Sequence, residues 1–342
     1  MSDTKPDQKP DKKDLIRPLS HLGGEKPPAP DWFEKAIATP SEEGAVEVAG
    51  ARIRYSVWGE EGGADSGRGL LFVHGGRAHR NWWRPFAPFF SDNRRVAALD
   101  LSGMGDSDWR ESYSLDLLVD EVFAVIDKAG IASRGRPIVV GHSFGGWVTL
   151  AAVEREGERL GGAVVVDSPL GVPDPHEGYT VVKAKPAKDG AKAGEKPSAH
   201  IYDTREEMIE RFRLLPNQPA ENLYLIDYIA REGLRPVKPG ECGEQTGEGW
   251  TWKFDPGDKG AFEIHFERDL LRAARCPLAF IYGEKSAFAQ GDGISHLREQ
   301  ARGRSPFVMI PDAYHHLMMD QPLAFVATLR TLLSAWPVRF GG

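Results

Sequence analysis

The stretch that decides the fold of this chain is PIVVGHSFGGW, residues 137–147. It contains the pattern G-x-S-x-G, with Ser143 between Gly141 and Gly145. A short β-branched run precedes the pattern and a helical pattern follows it, so this stretch predicts a strand, a sharp turn and a helix. A side chain at either glycine would crowd the turn. The turn lifts the Ser143 hydroxyl above the sheet edge, which makes Ser143 a candidate nucleophile.

Short apolar runs and helical patterns alternate along the rest of the chain. Continuous apolar runs are typical of strands buried on both faces of a parallel sheet. They occur at residues 70–73, 96–99, 138–140, 163–166, 278–282 and 307–310, mostly with helical patterns between them. Two alternating stretches at residues 45–48 and 53–58 predict an antiparallel strand pair. The sequence therefore predicts an α/β fold with a doubly wound, mostly parallel eight-stranded sheet.

The alternation breaks between Asp167 and Leu278. An insertion after the sixth core strand emerges above the carboxyl ends of the strands, where ligands bind in open α/β sheets. We therefore expect a core of residues 31–168 and 275–342, with residues 169–274 forming a helical cap or lid over Ser143. Residues 1–30 are rich in Lys, Asp and Pro, and we expect them to form a disordered tail.

The composition excludes several classes of partner. The chain has 342 residues and a net charge of −7, so no basic excess favours nucleic acid or an anionic membrane. No apolar run approaches the roughly 20 residues of a membrane span, and no secretory signal is visible. The two cysteines are far apart and have no metal-ligand spacing around them. We expect a cytoplasmic protein without metal or cofactor; the sequence does not indicate its oligomeric state.

A serine nucleophile needs a base, and the segment IPDAYHHLMMDQP at residues 310–322 offers His315 and His316. This segment, and the chain from about residue 45 to residue 336, resembles the α/β-hydrolase superfamily. Members commonly carry a histidine in the last loop, followed five residues later by an acidic residue and then Gln-Pro. Asp320 and the Gln-Pro after it have that spacing from His315. The resemblance therefore implies His315 as the base and leaves His316 a packing role.

The resemblance also bears on the acid that orients this base. The commonest family position is an Asp three residues beyond the glycine that ends the seventh core strand, and here that position is Ser286. Serine cannot carry the charge that stabilises an imidazolium. Some members place the acid at the end of the sixth strand, where this chain has Asp167. We expect Asp167 to be the acid, with Glu284 as the alternative.

Acyl transfer needs N–H donors for an oxyanion, and an apolar substrate needs a pocket. One donor is expected to be the amide of Phe144, directly after the nucleophile. His74 and Gly75 match the family's H-G signature, so the resemblance implies the amide of Gly76 as the second donor. Tryptophans are the candidates for an apolar substrate pocket, namely Trp83 and the cap residues Trp250 and Trp252.

The resemblance implies a serine hydrolase that cleaves a carboxylic ester, lactone or thioester of a small apolar molecule. Two alternatives on the same fold are carbon–carbon bond hydrolysis and cofactor-free ring dioxygenation. A third is a binding module for a small ligand without catalysis, to which the missing Asp at Ser286 lends weight. Epoxide hydrolases and haloalkane dehalogenases of the superfamily use Asp as nucleophile, so Ser143 argues against both.

Overall fold

The protein is described here from a computed structural model, which describes residues 16–60, 68–170, 179–182, 200–237, 249–256, 263–266 and 269–336. Within these ranges the strands are β1 (Glu42–Val48), β2 (Ala51–Trp58), β3 (Leu70–Val73), β4 (Val96–Leu99), β5 (Ile138–His142), β6 (Gly162–Val166), β7 (Tyr179–Val182), β8 (Leu234–Pro236), β9 (Trp250–Trp252), β10 (Glu263–Phe266), β11 (Leu278–Gly283) and β12 (Phe307–Ile310). The helices are α1 (Asp31–Ala38), α2 (Leu115–Lys128), α3 (Phe144–Glu156), α4 (Arg205–Glu210), α5 (Leu223–Glu232), α6 (Leu270–Ala273), α7 (Asp292–Ala301), α8 (Leu317–Asp320) and α9 (Pro322–Ser334).

The central sheet has eight strands in the order β1-β2-β4-β3-β5-β6-β11-β12. Strand β2 is antiparallel to both of its neighbours, and every pairing from β4 to β12 is parallel. The predicted fold class, a mostly parallel eight-stranded α/β sheet, is confirmed. In such a sheet the carboxyl ends of β3, β5, β6 and β11 meet at one edge, and this is where the candidate residues collect.

The sheet is buried on both faces. Along β3, Leu71 and Val73 belong to a core with residues of α2, α3 and α7, whereas Leu70 and Phe72 belong to a core with residues of α1, α5 and α9. Successive strand residues point to opposite faces, so a strand covered on both sides must be apolar throughout. This explains why β3 reads as a continuous apolar run rather than an alternating one.

The segment after β3 differs from its predicted structure. The pattern at residues 81–90 predicts one helix, but the chain forms two short 3-10 turns, Arg80–Trp82 and Ala87–Phe90. Pro85 and Pro88 interrupt the segment, and proline lacks the N–H that a continuous α-helix requires. The apolar side chains are still buried, but their directions are not those of a helix.

The region predicted as a helical cap is mixed in structure. Its described residues contain α4, α5 and α6, together with two small antiparallel ribbons, β7 with β10 and β8 with β9. A helix predicted at residues 262–273 is replaced by β10 and the short α6. Residues 171–178, 183–199, 238–248, 257–262 and 267–268 of the predicted cap lie outside the described residues, and its boundaries stay a prediction.

The predicted disordered tail differs from the structure over its second half. Residues 1–15 lie outside the described part of the chain. From Ile16 onward the segment packs on the fold: Leu19 is fully buried in the core shared with α5, and the Ile16 N–H donates to Asn217 Oδ1 at 3.0 Å. The anchoring signal is a single leucine in a polar context, which composition does not detect.

Across the described residues, no helix is both long and apolar enough to span a membrane.

Candidate active site

Ser143 lies at the tip of a sharp turn between β5 and α3. Its backbone has φ 54° and ψ −119°, a conformation that non-glycine residues rarely adopt. A Cβ on Gly145 would lie 2.5 Å from the carbonyl oxygens of both Val73 and His74. Helix α3 can therefore start directly against the end of β3 only because residue 145 is glycine. The predicted strand, turn and helix are all present, and the turn leaves the serine half-buried.

His315 joins Ser143 to Asp167. His315 Nε2 lies 2.9 Å from Ser143 Oγ, and His315 Nδ1 lies 2.8 Å from Asp167 Oδ1. A carboxylate accepts hydrogen bonds only, so Nδ1 carries the proton and Nε2 presents its lone pair to the serine hydroxyl. We call these three side chains the relay. The arrangement allows proton transfer from Ser143 to His315.

Asp167 follows β6 and is held from the neighbouring strand β11. Its Oδ2 accepts from the Gly283 N–H at 2.8 Å, and its Oδ1 accepts from the Ser286 hydroxyl at 2.6 Å. Its own N–H donates to the Ile281 carbonyl at 2.8 Å. Ser286, which stands where the acid is commonest in the superfamily, thus supplies a hydrogen bond to the acid on the adjacent strand. Sequence reasoning missed this role, because the departure at residue 286 suggested a loss rather than a partner.

The other candidate acid lies elsewhere. Glu284 is exposed, and its Oε2 accepts a hydrogen bond from the Asp312 N–H at 3.1 Å. It therefore supports the loop after β12 rather than His315. The structure brings Asp167, and not Glu284, to the imidazole.

A second carboxylate orders the loop that carries His315. Asp320 Oδ2 accepts from the Tyr314 N–H at 2.8 Å, and both of its oxygens lie 3.1 Å from Gln218 Nε2. Gln218 Oε1 in turn accepts from the His316 N–H at 3.1 Å. The acidic residue that follows His315 by five positions thus fixes the backbone on either side of it. The five-residue spacing between His315 and Asp320 therefore allows the Asp320 carboxylate to order the loop that carries the base.

Burial sets the protonation of the relay. Desolvation lowers the pKa of His315 to about 3, which keeps the imidazole neutral and able to accept a proton. Desolvation also raises the pKa of Asp167 to about 7, while the hydrogen bonds from Gly283 and Ser286 act in the opposite direction. The hydrogen bonds therefore favour the charged carboxylate that an imidazolium would need.

Two more buried histidines surround the relay. His142 Nε2 lies 3.0 Å from the His315 carbonyl oxygen, and His316 Nε2 lies 3.1 Å from the Leu215 carbonyl oxygen. A carbonyl only accepts, so both rings donate through Nε2, and the Nδ1 atoms of both are buried without a hydrogen-bond partner. Desolvation lowers the pKa of His142 to about 3 and that of His316 well below its usual value. Both rings are neutral, and neither reaches Ser143 as His315 does.

These rings also form the one group of potential metal ligands among the described residues. The ligand nitrogens of His142, His315 and His316 lie within 4.8 Å of one another. Both ring nitrogens of His315 are already engaged, by Asp167 and Ser143. A metal ion here would remove the base from the serine, so the geometry favours a proton relay over a metal centre.

The loop after β3 passes directly beside the nucleophile. A Cβ on Gly75 would lie 3.3 Å from Ser143 Cβ and 3.1 Å from His142 Nδ1. His74 fixes this loop, because its Nε2 accepts from the Leu101 N–H at 3.1 Å and its Nδ1 donates to the Gly75 carbonyl at 2.7 Å. Gly76 follows, and Phe144 is the first residue of α3. Phe144 directly follows Ser143 in the chain and Gly76 directly follows Gly75, and the assignment of their amides as oxyanion donors stays a prediction.

A cavity of about 380 Å³ lies beside the relay. Gly76 and His316 line it, and the His316 ring centroid is 4.7 Å from that of His315. Aromatic residues line it as well. Four arginines complete the lining: Arg17, Arg77, Arg211 and Arg213. We call it the arginine-lined cavity. The sequence predicted an apolar pocket here and missed the cationic lining, because these arginines are scattered along the chain.

The predicted pocket tryptophans have different positions. Trp252 lines the cavity, but Trp250 does not, and it packs instead under the Arg205 guanidinium at 4.9 Å. Trp83 is fully buried in the core and stacks on Phe72 at 4.7 Å, so it is a core residue rather than a pocket residue. Its neighbour Trp82 lines the cavity instead. Consecutive residues of a 3-10 turn point about 120° apart, which separates the two tryptophans.

Comparisons with known proteins agree with this fold. Residues 70–329 match the sequence model of the alpha/beta hydrolase family. Epoxide hydrolase 3 of Xenopus tropicalis is 23% identical over 283 residues, covering 77% of this chain and 71% of the relative. The 2-hydroxymuconate semialdehyde hydrolase of Pseudomonas sp. (strain CF600) is 36% identical over 135 residues, covering 37% of this chain and 44% of the relative.

Among solved structures, the thioesterase domain from the curacin biosynthetic pathway superimposes with a TM-score of 0.62 at 20% identity. The match covers 86% of this chain and 99% of that domain. At this level of identity the likeness concerns the fold alone. The family match covers most of the chain, including the elbow, the relay and the six parallel strands of the sheet, β3 to β6, β11 and β12. The chain therefore belongs to the alpha/beta hydrolase family.

Proposed function

We propose that this protein is a serine hydrolase that cleaves a carboxylic ester through an acyl-enzyme on Ser143. One observation carries the proposal: His315 bridges Ser143 Oγ at 2.9 Å and Asp167 Oδ1 at 2.8 Å. A serine hydroxyl is a weak nucleophile until a base removes its proton. A neutral, oriented imidazole in hydrogen-bond contact with the serine meets that need.

In the first half-reaction, Ser143 Oγ attacks the acyl carbon of the ester while its proton passes to His315 Nε2. The imidazolium that forms is stabilised by Asp167, whose carboxylate stays ionised. The resulting oxyanion accepts hydrogen bonds from the amides of Gly76 and Phe144. The carbon–oxygen bond of the leaving alcohol then breaks, and His315 returns the proton to that oxygen.

In the second half-reaction, a water molecule attacks the acyl carbon. His315 accepts a proton from the water, the bond to Ser143 Oγ breaks, and the proton returns to the serine. The products are the free acid and the regenerated enzyme. The positive φ of Ser143 places its side chain at the tip of the turn.

The comparisons support a hydrolase without selecting the ester. Epoxide hydrolases, esterases and a carbon–carbon hydrolase are all among the relatives. Epoxide hydrolases of this superfamily use an aspartate nucleophile, and Ser143 stands at that position here. An ester is therefore favoured over an epoxide.

The test is hydrolysis of 4-nitrophenyl esters of graded acyl length. The native protein is expected to turn over at least one of them, and Ser143→Ala is expected to lower kcat by roughly 10³-fold or more. Ser102→Ala is a control, since it removes the same hydroxyl from a buried serine outside the relay, in the turn after β4. Equal rates in native protein and Ser143→Ala would refute the proposal.

Carbon–carbon hydrolysis is the second candidate, favoured by the 36% identity to 2-hydroxymuconate semialdehyde hydrolase. That match covers less than half of the relative, and the same elbow serves both reactions. Turnover of 2-hydroxymuconate semialdehyde with little ester hydrolysis would favour this candidate. The reverse result would favour the ester.

A further inference from the structure

The arginine-lined cavity is opposite in charge to the rest of the molecule. The chain has 50 acidic and 43 Lys and Arg residues, giving a net charge of −7. The described residues that line the cavity nevertheless include four arginines and no Asp or Glu. Arginine stays protonated at any physiological pH, so the lining is permanently cationic.

Among the residues that the structure describes, most of this charge has no acidic partner. Arg211 forms an ion pair with Glu207 at 2.9 Å. Over the described part of the chain, Arg17, Arg77 and Arg213 form no ion pair. Arg77 packs its guanidinium over the Phe254 ring at 5.2 Å, an arrangement that leaves its N–H groups available. The cavity therefore presents unused donors of the kind that bind carboxylate or phosphate oxygens in pairs.

The rest of the lining is aromatic and aliphatic. Phe212, Trp252 and Trp82 contribute faces beside the arginines, and Leu214 and Leu215 complete one wall. A ligand that suits this surface has an apolar or planar body and a negatively charged group. A wholly apolar ligand would leave the guanidiniums without partners and cost part of their hydration.

Two of the residues that line the cavity are neighbours of the residues around Ser143. Gly76 follows Gly75, whose backbone lies against Ser143, and His316 lies against His315. Ser143 itself does not line the cavity, so a substrate held by the arginines has to extend past Gly76 and His316 to bring its carbonyl carbon to Ser143.

We propose that the substrate carries an anionic group, a carboxylate or phosphate, which the arginine-lined cavity recognises; this rests on the hydrolase function proposed above. Arg213 and Arg211, both exposed and both on the segment that follows α4, are the selectivity residues accessible to substitution without touching the relay. The sequence predicted a small apolar substrate, whereas the proposed substrate is amphipathic and carries a negative charge.

The first experiment compares two matched esters, mono-4-nitrophenyl adipate and methyl 4-nitrophenyl adipate, which differ by one negative charge. The native protein is expected to prefer the anionic ester in kcat/KM by about tenfold or more, since hydrogen bonds to charged groups are worth about this factor. The double variant Arg211→Gln/Arg213→Gln is expected to lose most of that preference through KM, with little change toward the neutral ester.

The matched control is Arg205→Gln/Arg302→Gln. It also removes two positive charges, but from exposed positions that do not line the cavity. The control is expected to keep the native preference. If both double variants reduce the preference equally, general surface charge explains it and the inference fails.

A binding measurement separates this inference from the proposed function. Calorimetry of the native protein with 4-phenylbutyrate, its neutral analogue 4-phenylbutanamide, and phenethyl phosphate needs no turnover. Tighter binding of either anion than of the amide, lost in Arg211→Gln/Arg213→Gln, supports the inference even if no ester is hydrolysed. The stronger of the two anions identifies the charged group. Equal binding of the amide and both anions would overturn the inference even if esters are hydrolysed.

Discussion

The relay and the arginine-lined cavity are neighbours but are built in different ways. Asp167 and His315 are almost completely buried, and each follows a strand of the sheet and is held by hydrogen bonds from adjoining strands or loops. The cavity arginines are exposed and come from the chain start, the loop after β3 and the insertion after β6. In the proposed function, the sheet therefore positions the reacting groups, and the proposed selectivity for an anion comes from segments outside the sheet.

The largest effect is expected from the base. His315→Gln removes the proton acceptor and should lower kcat toward every ester by roughly 10⁴-fold or more, irrespective of charge. His316→Gln alters a neighbouring ring that lines the cavity and whose Nε2 donates to the Leu215 carbonyl rather than to Ser143. Its effect should appear mainly in KM. Steady-state kinetics on the matched adipate esters distinguishes the two, and similar losses of kcat in both variants would contradict this division.

The acid should come next. Asp167→Asn is expected to lower kcat by roughly 10³- to 10⁴-fold, because an amide cannot stabilise the imidazolium. Ser286 Oγ lies 2.6 Å from the Asp167 carboxylate, so Asp167→Asn/Ser286→Asp places a carboxylate at the commoner family position. The double variant should recover part of the lost kcat. A Glu284→Gln variant should keep native kcat, and a large loss there would identify Glu284 as the acid instead.

A smaller effect is expected from the partner of the acid. Ser286→Ala removes one hydrogen bond to Asp167 and should lower kcat by about tenfold. Since that hydrogen bond lowers the pKa of Asp167, its loss should move the acid limb of the pH–rate profile to higher pH. Ser286→Thr keeps a hydroxyl and should behave like the native protein. An unshifted acid limb in Ser286→Ala would show that the contact is only structural.

The last prediction concerns stability rather than activity. The buried imidazoles should make the free energy of unfolding depend on pH. Burial lowers the pKa of His74, His79, His142, His315 and His316. Unfolded histidines bind protons below about pH 6.5 and these folded ones do not, so the free energy of unfolding should fall as pH drops from 7 to 5. The raised pKa values of Asp167 and Asp320 offset part of this loss.

Chemical denaturation at several pH values measures the slope. The net loss between pH 7 and pH 5 should amount to a few kcal/mol, since each imidazole contributes up to about 1.4 kcal/mol per pH unit. His79→Gln, remote from the relay in its hydrogen bond to Ile229, should flatten the slope. Substituting the arginines of the cavity should not, because they do not titrate in this range. A stability that is flat over this range would contradict the burial of these rings as neutral groups.

The sheet and the elbow were predictable because their signals are local. A continuous apolar run predicts a strand buried on both faces, such as β3. Glycines on either side of Ser143 predict a tight turn, because a side chain there would clash with the neighbouring backbone. The two 3-10 turns within residues 80–90 were missed because the apolar pattern of this segment fits a helix as well as it fits two turns. Pro85 and Pro88 were given too little weight against that pattern. Periodicity indicates burial more reliably than it indicates the type of turn.

The partners of the site were predictable only in part, because they depend on contacts across the fold. Ser286 and Asp167 are 119 positions apart, and nothing near either residue in sequence reveals that their side chains meet. The same holds for Arg77 and Arg213, which line one cavity from opposite sides of the insertion boundary. Trp83 and Trp82 could not be separated from sequence, because the local turn decides which one faces the cavity.

The most direct test of the account is labelling by a fluorophosphonate probe, with the modified residue identified by mass spectrometry. The account predicts that the native protein is labelled at Ser143, that Ser143→Ala is not labelled, and that labelling of His315→Gln is slower by roughly 10³-fold. His316→Gln should be labelled at the native rate. Labelling at another serine, or native-rate labelling of His315→Gln, would contradict the claim that His315 activates Ser143.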